Sequence, residues 1–563
     1  MVRRRRLLRR RQGHPARRVR RPVAAGNLCA GRCRPGSRAV ITRLLTSGAY
    51  VGSELEAEFG RVPPAFLPVG GSLLIHHQLQ RLGRTAARTI LSLPNDFIVD
   101  PLDAARLAAA GVEIIPVDPR LSLGRSVGKL IATIGDDMAI EIIHGDTLLD
   151  CLPAAANDAM SIAEANDGYH WATVTVEAGL VTAVANDPDA LDGASILTGA
   201  FRVSDPGLLL RCLVAADDDF VAALDAYAQL RPVAAVAMPL WLDFGHLQTF
   251  FRSRHHLAAS RHFNALQITE GVVHKSSDQT FKMNAEASWL RTLPASLQLY
   301  AARLIEDDTT LAADGYATEY AFLPTVAEIY LSRLNARGWE RIFGAMTGFV
   351  EASLRCRGDG ISQSLVKLGV DKTVSRLAAA SDVLPDLDVE RRIGGRTCPA
   401  PSRMLEFLFQ QIAAAPPRAP SIMHGDLCFS NILYNSRNQR ICVIDPRGYV
   451  DDGVTSPFGD ARYDIAKLAH SIIGRYDQIL GGQYRLDDSP GHAELVLPRD
   501  PIKDGLERQF LAQSVDGIAF DSDAVIATMI TLFFSMIPLH QDDPRRQRAF
   551  FANASQLFMR FYG

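Results

Sequence analysis

The chain has little cysteine for its length, and it lacks an apolar run long enough to cross a membrane. Eight cysteines are scattered over 563 residues, and the one close pair, Cys29 and Cys33, lies in an Arg-rich segment. This spacing argues against a disulfide framework and against structural zinc. The most apolar stretch near the C-terminus, VIATMITLFFSMIPL, is shorter than the roughly 20 residues that span a bilayer. We therefore predict no membrane span and a cytoplasmic protein.

Acidic residues are absent from the first 38 positions, which hold 14 arginines; the first acid is Glu54. Of the 60 basic residues, 46 remain outside this tail against all 62 acidic ones, a formal charge of −16. We predict that residues 1–39 are disordered. Three interpretations of them stay open: binding to nucleic acid or anionic lipid, an organelle transit peptide, or an upstream extension of the reading frame. An acidic body repels a polyanion, which disfavours nucleic acid as a partner.

Short β-rich runs alternate with helical patterns in the first half of the chain. VITRLLTSGAY, TILSLPND, VEIIPVD and AIEIIHGDTLLD are typical of strands, whereas SLLIHHQLQRLGR and DPLDAARLAAAG are typical of helices. This alternation predicts an α/β domain over residues 40–265 with a mostly parallel sheet. Ligands of such sheets bind at the carboxyl ends of the strands.

The pattern changes near Gln267. LQITEGVVHKSS predicts a β-hairpin, a helix follows around FKMNAEASWLRTLP, and the segment from Thr325 to Ala413 is largely helical. NILYNSRNQRICVID predicts another hairpin, and helices are expected over the remainder. These patterns indicate a second, α+β domain over residues 266–563, with a small first lobe and a larger helical lobe.

The stretch HGDLCFSNILYNSRNQRICVIDPRG contains two carboxylates and an amide, on Asp426, Asn431 and Asp445. A hairpin with the turn NSRN returns Asp445 to the level of Asn431. Such a group suits phosphorylation of a hydroxyl: Asp426 orients the acceptor and takes its proton, while Asn431 and Asp445 hold Mg²⁺ on the ATP phosphates. Each residue alone is more often a turn cap, so the hypothesis depends on the ordered set.

This stretch resembles the catalytic loop of the aminoglycoside phosphotransferase and choline kinase family, which has the form His-Gly-Asp, four residues, Asn, and then Ile-Asp. The resemblance extends from roughly Gln267 to the C-terminus. It implies a two-lobed, protein-kinase-like fold that phosphorylates small molecules with ATP and Mg²⁺. It assigns the catalytic base to Asp426 and the metal ligands to Asn431 and Asp445.

The same resemblance implies further nucleotide contacts. The family's strand lysine falls on Lys275 in VVHKSSD and its helix glutamate on Glu286, with Lys282 as a competing candidate for the lysine. Glu319 and Tyr320, in YATEYAF, would lie near the adenine, in the connection between the lobes. Asp460 and Asp464, in FGDARYDIAKLAH, would brace the catalytic loop.

A second resemblance lies near the start of the α/β segment. LLTSGAYVGSELEAEFGRVPPAFLPVGGSLLIHHQLQRL resembles the sugar-phosphate nucleotidyltransferase signature, in which a strand enters a Gly-rich loop that is followed by an LPVGG turn and a helix. The resemblance implies a Rossmann-like nucleotide-diphospho-sugar transferase fold. Gly48 and Gly52 match the loop, whose backbone amides approach a nucleoside triphosphate.

The match has two departures. Glu54 stands about where the family has a loop arginine, and Pro64 stands where it has a lysine. Losing two cations weakens the binding of a triphosphate and the stabilisation of its transition state. Arg43 and Arg61 are the candidates to compensate.

Two aspartates extend this second resemblance. IIHGDTLLD resembles the family's strand-terminal Gly-Asp and WLDFGHLQTF its later Asp-x-Gly, which assigns Mg²⁺ ligands to Asp146 and Asp243. Two acids on separate strand ends suit a metal-bound nucleotide. Asp146 as a turn residue and Asp243 as a helix N-cap are the alternatives.

Together the two resemblances imply a bifunctional enzyme. It would phosphorylate a sugar or polyol with ATP and couple a phosphomonoester to a nucleotide from a second nucleoside triphosphate, for surface polysaccharide or cell-wall precursors. Three alternatives stay open: a kinase with a non-catalytic sensor domain, an antibiotic-modifying kinase whose cationic substrates suit the acidic body, and a polyanion-binding protein that acts through its tail. The expected partners of the enzyme are small molecules and nucleotides.

Overall fold

The computed structural model describes most of the chain after the Arg-rich tail. The described residues are 41–83, 88–135, 138–149, 157–165, 169–186, 193–258, 265–269, 271–305, 315–379, 387–393, 395–451, 453–489 and 492–563. The predicted disordered tail, residues 1–39, lies outside them. Chain contacts group Val40–Gly563 into one unit, within which we call residues 41–258 the N-terminal region and residues 265–563 the C-terminal region.

The N-terminal region alternates strands and helices as the sequence predicts. Its strands are β1 (Thr42–Thr46), β2 (Pro68–Val69), β3 (Ser72–Leu73), β4 (Arg88–Pro94), β5 (Val112–Val117), β6 (Ile140–His144), β7 (Thr147–Leu149), β8 (Ala159–Glu164), β9 (Ala172–Glu177), β10 (Leu180–Asn186), β11 (Ser195–Val203), β12 (Ala234–Ala237) and β13 (Trp241–Asp243). Its α-helices are α1 (Ser53–Phe59), α2 (Leu74–Leu82), α3 (Pro101–Ala109), α4 (Leu123–Ile134), α5 (Pro206–Ala215), α6 (Phe220–Leu230) and α7 (Leu247–Ala258).

Nine of these strands form one sheet in the order β5-β4-β1-β6-β11-β8-β12-β10-β9. Strands β5, β4, β1 and β6 are parallel, whereas β11 runs antiparallel to both β6 and β8, and β9 and β10 form an antiparallel pair. The prediction of a mostly parallel sheet is therefore wrong for its second half, where β8–β12 is the one parallel pair among the described strands. Parallel neighbours need a long crossover, and no described helix separates β8, β9, β10 and β11 along the chain.

Helices cover both faces of this sheet. Successive residues of a strand point to opposite faces, so Leu44 and Leu45 of β1 join different buried clusters. The cluster around Leu45 includes residues of α1, α2, α3 and α7, and the cluster around Leu44 includes residues of α4, α5 and α6. The result is the predicted α/β architecture, with the carboxyl ends of the parallel strands at one edge.

The C-terminal region contains a small sheet followed by many helices. Its strands are β14 (Ala265–Thr269), β15 (Val272–Ser276), β16 (Leu304–Ile305), β17 (Gly315–Glu319), β18 (Arg391–Ile393), β19 (Arg396–Cys398), β20 (Ser421–Ile422), β21 (Ile432–Asn435), β22 (Arg440–Val443), β23 (Tyr449–Asp451), β24 (Val454–Thr455), β25 (Phe458–Gly459), β26 (Arg485–Ser489), β27 (His492–Val496), β28 (Ser514–Val515) and β29 (Ile518–Ala519). Its α-helices are α8 (Thr280–Thr292), α9 (Ala295–Gln298), α10 (Val326–Leu331), α11 (Ala336–Arg355), α12 (Lys372–Ala378), α13 (Pro401–Ala413), α14 (Arg462–Ile472), α15 (Tyr476–Leu480), α16 (Pro501–Leu511), α17 (Asp523–Met536) and α18 (Pro544–Phe561).

The first predicted hairpin of this region is the pair β14–β15, within a four-stranded sheet ordered β14-β15-β17-β16. The second is β21–β22, with Ile432 opposite Val443. Strands β26 and β27 pair within another four-stranded sheet, although the sequence pattern predicts helices there. On β27 the buried residues Ala493 and Leu495 alternate with less buried ones, which is the period-2 signal for strands.

The apolar C-terminal stretch lies inside the core. The segment Asp523–His540 is long and apolar enough to cross a membrane by length and composition, and 72% of it is buried. Phe533 and Ile530 of α17 are inaccessible to solvent and belong to the large cluster of buried apolar residues in the C-terminal region. This burial explains why the helix is apolar on all sides.

Polar contacts join the two regions. The Ser436 hydroxyl, in the β21–β22 turn, donates to Glu58 Oε1 at 2.8 Å. Glu328 Oε1, on α10, accepts from the Gly70 amide at 3.3 Å and lies 3.1 Å from Arg254 Nε. The N-terminal region therefore contacts the hairpin that precedes Asp445 in sequence.

Candidate active site

A buried aspartate holds the start of the HGD loop. The Asp464 carboxylate, on α14, accepts from the amides of His424 at 2.6 Å and Gly425 at 2.8 Å. Burial raises the pKa of Asp464 to about 7, although these backbone donors favour its ionised form. Gly425 has φ +79°, and a Cβ there would lie 2.6 Å from Arg447 Cβ, so only glycine fits. This is the bracing contact that the sequence predicts for Asp464.

His424 links the loop to the segment that carries Asp445. Its ring is fully buried, its Nδ1 accepts from the Asp426 amide at 3.2 Å, and its Nε2 lies 2.9 Å from the Ile444 carbonyl oxygen. Burial lowers the pKa of His424 to about 4, so the ring is neutral at pH 7. Since Nδ1 accepts, the proton is on Nε2, which donates to Ile444.

Asp426 faces an amide and an ammonium group. Asn431 Nδ2 donates to the Asp426 carbonyl at 2.9 Å and to its Oδ2 at 3.2 Å, and Lys467 Nζ lies 2.6 Å from Oδ1. Surrounding protein atoms desolvate the carboxylate, but the charge and hydrogen bond of Lys467, together with the charge of Lys372, outweigh this effect and hold the pKa of Asp426 well below its usual range. The Asp426 side chain is 47% exposed, so an ionised carboxylate is accessible here.

Lys467 was not predicted as a site residue. It lies three residues after Asp464 on α14, a helix whose residues are all buried, and its side chain is 7% exposed. A lysine in a buried helix needs a charged partner. The sequence signal that could have identified it is the presence of a lysine within the apolar helix pattern of FGDARYDIAKLAH.

Lys275 lies between two carboxylates. Its Nζ, on β15, is 2.5 Å from Glu286 Oε2 and 3.0 Å from Asp445 Oδ1. The Tyr316 hydroxyl donates to the same Glu286 oxygen at 2.7 Å. The competing candidate, Lys282, lies on α8 itself and forms no ion pair with any residue that the structure describes. The geometry therefore favours Lys275 over Lys282 as the lysine of this site.

The β21–β22 hairpin brings Asp445 back to Asn431, as predicted. The Ile444 amide donates to the Asn431 carbonyl at 3.0 Å. Asp445 adopts φ +58°, a conformation that is uncommon outside glycine, and its side chain is 46% exposed. A strained backbone that presents a half-exposed carboxylate is typical of functional sites.

Residues 274–495 match the phosphotransferase enzyme family. The matched segment includes Lys275, Glu286, Asp426 and Asp445, and it confirms the predicted phosphotransferase resemblance. We call this segment the phosphotransferase domain. The comparison with curated proteins gives no match.

Glu319 lies at the end of β17, in the phosphotransferase domain. The strand register pairs it with Val272 and pairs Tyr316 with Lys275, so Glu319 is about 10 Å along the sheet from Lys275. The Tyr320 amide, next in the chain, donates to the Gly271 carbonyl at 2.7 Å. The chain then leads into α10.

The predicted glycines of the N-terminal region lie after β1, at the carboxyl edge of the parallel strands. A Cβ on Gly48 would lie 2.3 Å from Val117 Cγ2, so the close approach of the loop to β5 requires glycine. Gly52 is the N-cap of α1, and a Cβ there would meet no atom within 4 Å. Packing against β5 therefore requires glycine at position 48. At Gly52 no neighbour among the described residues requires glycine, and the space beside the loop is open.

Of the two arginines expected to compensate for Glu54 and Pro64, one is inaccessible. Arg43 is 1% exposed, and its Nη2 lies 3.0 Å from Glu141 Oε2, so it is wrong as a triphosphate contact. Arg61 is exposed beside the loop, where it lies over the Tyr50 ring at 3.7 Å and pairs with Asp96 at 2.9 Å. Arg61 is therefore the better of these two candidates.

The structure brings Asp146 and Asp243 together. Strands β7 and β13 pair Thr147 with Asp243, and the Phe244 amide donates to the Asp146 carbonyl at 2.8 Å. A Cβ on Gly245 would lie 2.7 Å from Asp146 Oδ2 and 3.4 Å from Asp243 Oδ1. Burial, and then the charge of Asp243, raise the pKa of Asp146 to about 7.

Two polar neighbours contact Asp243. Thr249 Oγ1 donates to Asp243 Oδ2, and His246 Nδ1 lies 3.3 Å from the same oxygen. Over the described parts of the chain, no group of three or more His, Cys, Asp and Glu side chains is arranged to hold a metal ion. The candidate metal ligands are thus a carboxylate pair here and a carboxylate–amide pair in the phosphotransferase domain.

The N-terminal region matches solved nucleotidyltransferase structures. One is the inositol-1-phosphate CTP transferase from T. maritima, at 14% identity and a TM-score of 0.32, covering 40% of this chain and 98% of that one. Another is the nucleoside-diphosphate-sugar pyrophosphorylase from Vibrio cholerae, at 11% identity and a TM-score of 0.33, covering 38% of this chain and 99% of that one.

Proposed function

We propose that the phosphotransferase domain transfers the γ-phosphoryl group of ATP to a hydroxyl group of a small molecule. The observation that carries this proposal is the half-exposed carboxylate of Asp426, held between Asn431 and Lys467. Lys275, fixed by Glu286, is the candidate contact for the ATP phosphates. Transfer forms a bond between the acceptor oxygen and the γ-phosphorus, breaks the bond to the bridging oxygen and releases ADP.

Asp426 is the candidate base for the acceptor. Because its pKa is held low by Lys467, it stays anionic at neutral pH, accepts a hydrogen bond from the acceptor hydroxyl and orients that oxygen toward the phosphorus. The proton passes to the carboxylate as the new O–P bond forms, when the hydroxyl becomes acidic. Asn431 keeps the carboxylate in place through its Nδ2 group.

The oxygen atoms of Asn431 and Asp445 fit Mg²⁺. Asn431 Nδ2 is committed to Asp426, which leaves its Oδ1 oriented away from that carboxylate, and Asp445 is half exposed beside Lys275. Both residues offer the hard oxygen ligands that Mg²⁺ prefers. When bound, the ion neutralises charge on the ATP phosphates.

For the N-terminal region we propose nucleotidyl transfer to the phosphomonoester. The adjacent carboxylates of Asp146 and Asp243 support this proposal, since paired acids at a strand end suit a metal-bound nucleotide. A phosphate oxygen would attack the α-phosphorus of a nucleoside triphosphate, and pyrophosphate would leave. Acting in sequence, the two sites would convert a sugar or polyol into a nucleotide-activated precursor of a surface polysaccharide or cell wall.

A second candidate function is a phosphotransferase with a non-catalytic nucleotide sensor. The observation that favours it is the burial of Arg43 against Glu141, which leaves Glu54 and Pro64 uncompensated except by Arg61. A site that lacks cations binds a triphosphate weakly and stabilises its transition state little. Pyrophosphate release distinguishes the two candidates.

The test is transfer of labelled γ-phosphate from ATP to a panel of neutral sugars, sugar acids, polyols and aminoglycosides, with the full chain and Mg²⁺. We expect one class to yield a labelled phosphomonoester, and we expect EDTA to abolish the signal. That product is then offered with each nucleoside triphosphate, and pyrophosphate is measured. Labelled product without pyrophosphate supports the sensor function, and the absence of any labelled product contradicts the phosphotransferase proposal.

A further inference from the structure

Four cationic side chains lie around Asp426, on three separate segments. Lys467 contacts Asp426 directly at 2.6 Å. Lys372 and Arg376 lie one turn apart on α12, and Lys372 Nζ donates to the hydroxyl of Tyr463 at 3.1 Å. Tyr463 is one turn before Lys467 on α14, and the charge of Lys372 contributes to the low pKa of Asp426, so Lys372 lies near this carboxylate.

Arg447 is the fourth of these cations. Its amide donates to the His424 carbonyl at 2.8 Å, and its Cβ lies against Gly425, the residue before Asp426. Its guanidinium lies over the Tyr449 ring at 4.1 Å, with Nε donating to the Tyr449 carbonyl at 3.3 Å. Arg447 thus lies beside the HGD loop, and its charge also acts on Lys372.

Three of these cations have no carboxylate partner. Within the described residues Lys372, Arg376 and Arg447 form no ion pair; Arg376 instead donates to the Ser535 hydroxyl at 3.1 Å. Burial, and then the charges of the other three cations, hold the pKa of Lys372 well below its usual range. Three nearby carboxylates have other partners, in the pairs Asp445–Lys275, Asp451–Lys367 and Asp460–Arg462.

We infer that the acceptor carries an anionic group, a carboxylate or a phosphate, next to the hydroxyl that is phosphorylated, and that Lys372 and Arg447 bind this group. The inference rests on the proposed phosphotransferase function and narrows its substrate class. An anion beside Lys372 favours the charged form of that lysine and relieves the repulsion among the cations. The same cations repel a cationic acceptor, which excludes the aminoglycoside class in spite of the acidic body.

Inorganic phosphate is the probe that tests this inference. The full chain is saturated with Mg²⁺ and a non-hydrolysable ATP analogue, and phosphate is titrated calorimetrically into wild type, Lys372→Gln, Lys372→Arg and Arg447→Gln. We expect the Lys372→Gln and Arg447→Gln substitutions to raise the Kd for phosphate by about tenfold or more, because each removes one charge-assisted hydrogen bond. Lys372→Arg is expected to retain most of the affinity.

Lys129→Gln is the matched control, because Lys129 is exposed on α4 in the N-terminal region. The Kd of this variant for phosphate should equal that of wild type. Equal phosphate affinity in all variants, or no phosphate binding by wild type, would overturn the inference. Thermal unfolding checks that each variant is folded; a Lys372→Gln chain that fails to fold leaves Arg447→Gln to decide. Failure to bind the ATP analogue contradicts the proposed function instead, and this step is measured separately before phosphate is added.

Discussion

Asp426→Asn is expected to lower kcat for phosphoryl transfer by about 10²–10⁴-fold, the range for losing a general base. The asparagine amide cannot take the acceptor proton, and it replaces the anion that Lys467 contacts at 2.6 Å. ATP affinity should change little, because Lys275 and Asp445 are untouched by this substitution. The measurement is steady-state transfer of labelled phosphate, with ATP binding followed in parallel.

Asp487→Asn is the control for this experiment. Asp487 is an exposed carboxylate on β26, so its variant should retain wild-type kcat. Thermal unfolding of both variants separates loss of chemistry from loss of fold. An Asp426→Asn enzyme with kcat within a few-fold of wild type would show that Asp426 is not the base, whatever its position beside Asn431.

Asp146→Asn is expected to reduce nucleotidyl transfer strongly and to leave phosphoryl transfer unchanged. If Asp146 and Asp243 clamp a metal-bound nucleotide, removing one carboxylate should reduce pyrophosphate release by about 10²-fold or more, since such a metal site supplies several kcal/mol of stabilisation. Phosphoryl transfer by the same variant should be unchanged. The measurement is coupled pyrophosphate detection with the phosphorylated product as substrate.

The two variants form a reciprocal pair. Asp426→Asn should still release pyrophosphate when the phosphomonoester is supplied, and Asp146→Asn should still make that phosphomonoester from ATP. Equal loss of both activities in either variant would contradict two separate sites. If wild type forms the phosphomonoester but releases no pyrophosphate, the sensor function stands in place of nucleotidyl transfer.

Much of the candidate site could be predicted because its residues are close in sequence. The HGD loop, Asn431 and the hairpin that returns Asp445 lie within one short stretch, so local turn and strand signals are enough to bring them together. Strand β15 and helix α8 likewise place Lys275 and Glu286 by local pattern. Which lysine pairs with Glu286 was decided by the packing of β15 against α8, which the local sequence pattern does not specify.

The rest depended on contacts between segments distant in sequence. Lys372 reaches the surroundings of Asp426 from α12, more than 50 positions away in the chain, and no local pattern marks it. Arg43 has the charge that a triphosphate site needs, but its place in a central strand buries it against Glu141. A residue's charge could be read from the sequence, but the partner that neutralises it could not.

The central claim is that Mg²⁺ and ATP bind in the phosphotransferase domain through Lys275 and Asp445. The most direct measurement is calorimetric titration of ATP into the full chain with Mg²⁺ or with EDTA, repeated with Asp445→Asn and Asp146→Asn. We expect binding in wild type that requires Mg²⁺, is strongly weakened by Asp445→Asn and is retained by Asp146→Asn. No ATP binding, or binding lost in Asp146→Asn and intact in Asp445→Asn, would contradict this assignment.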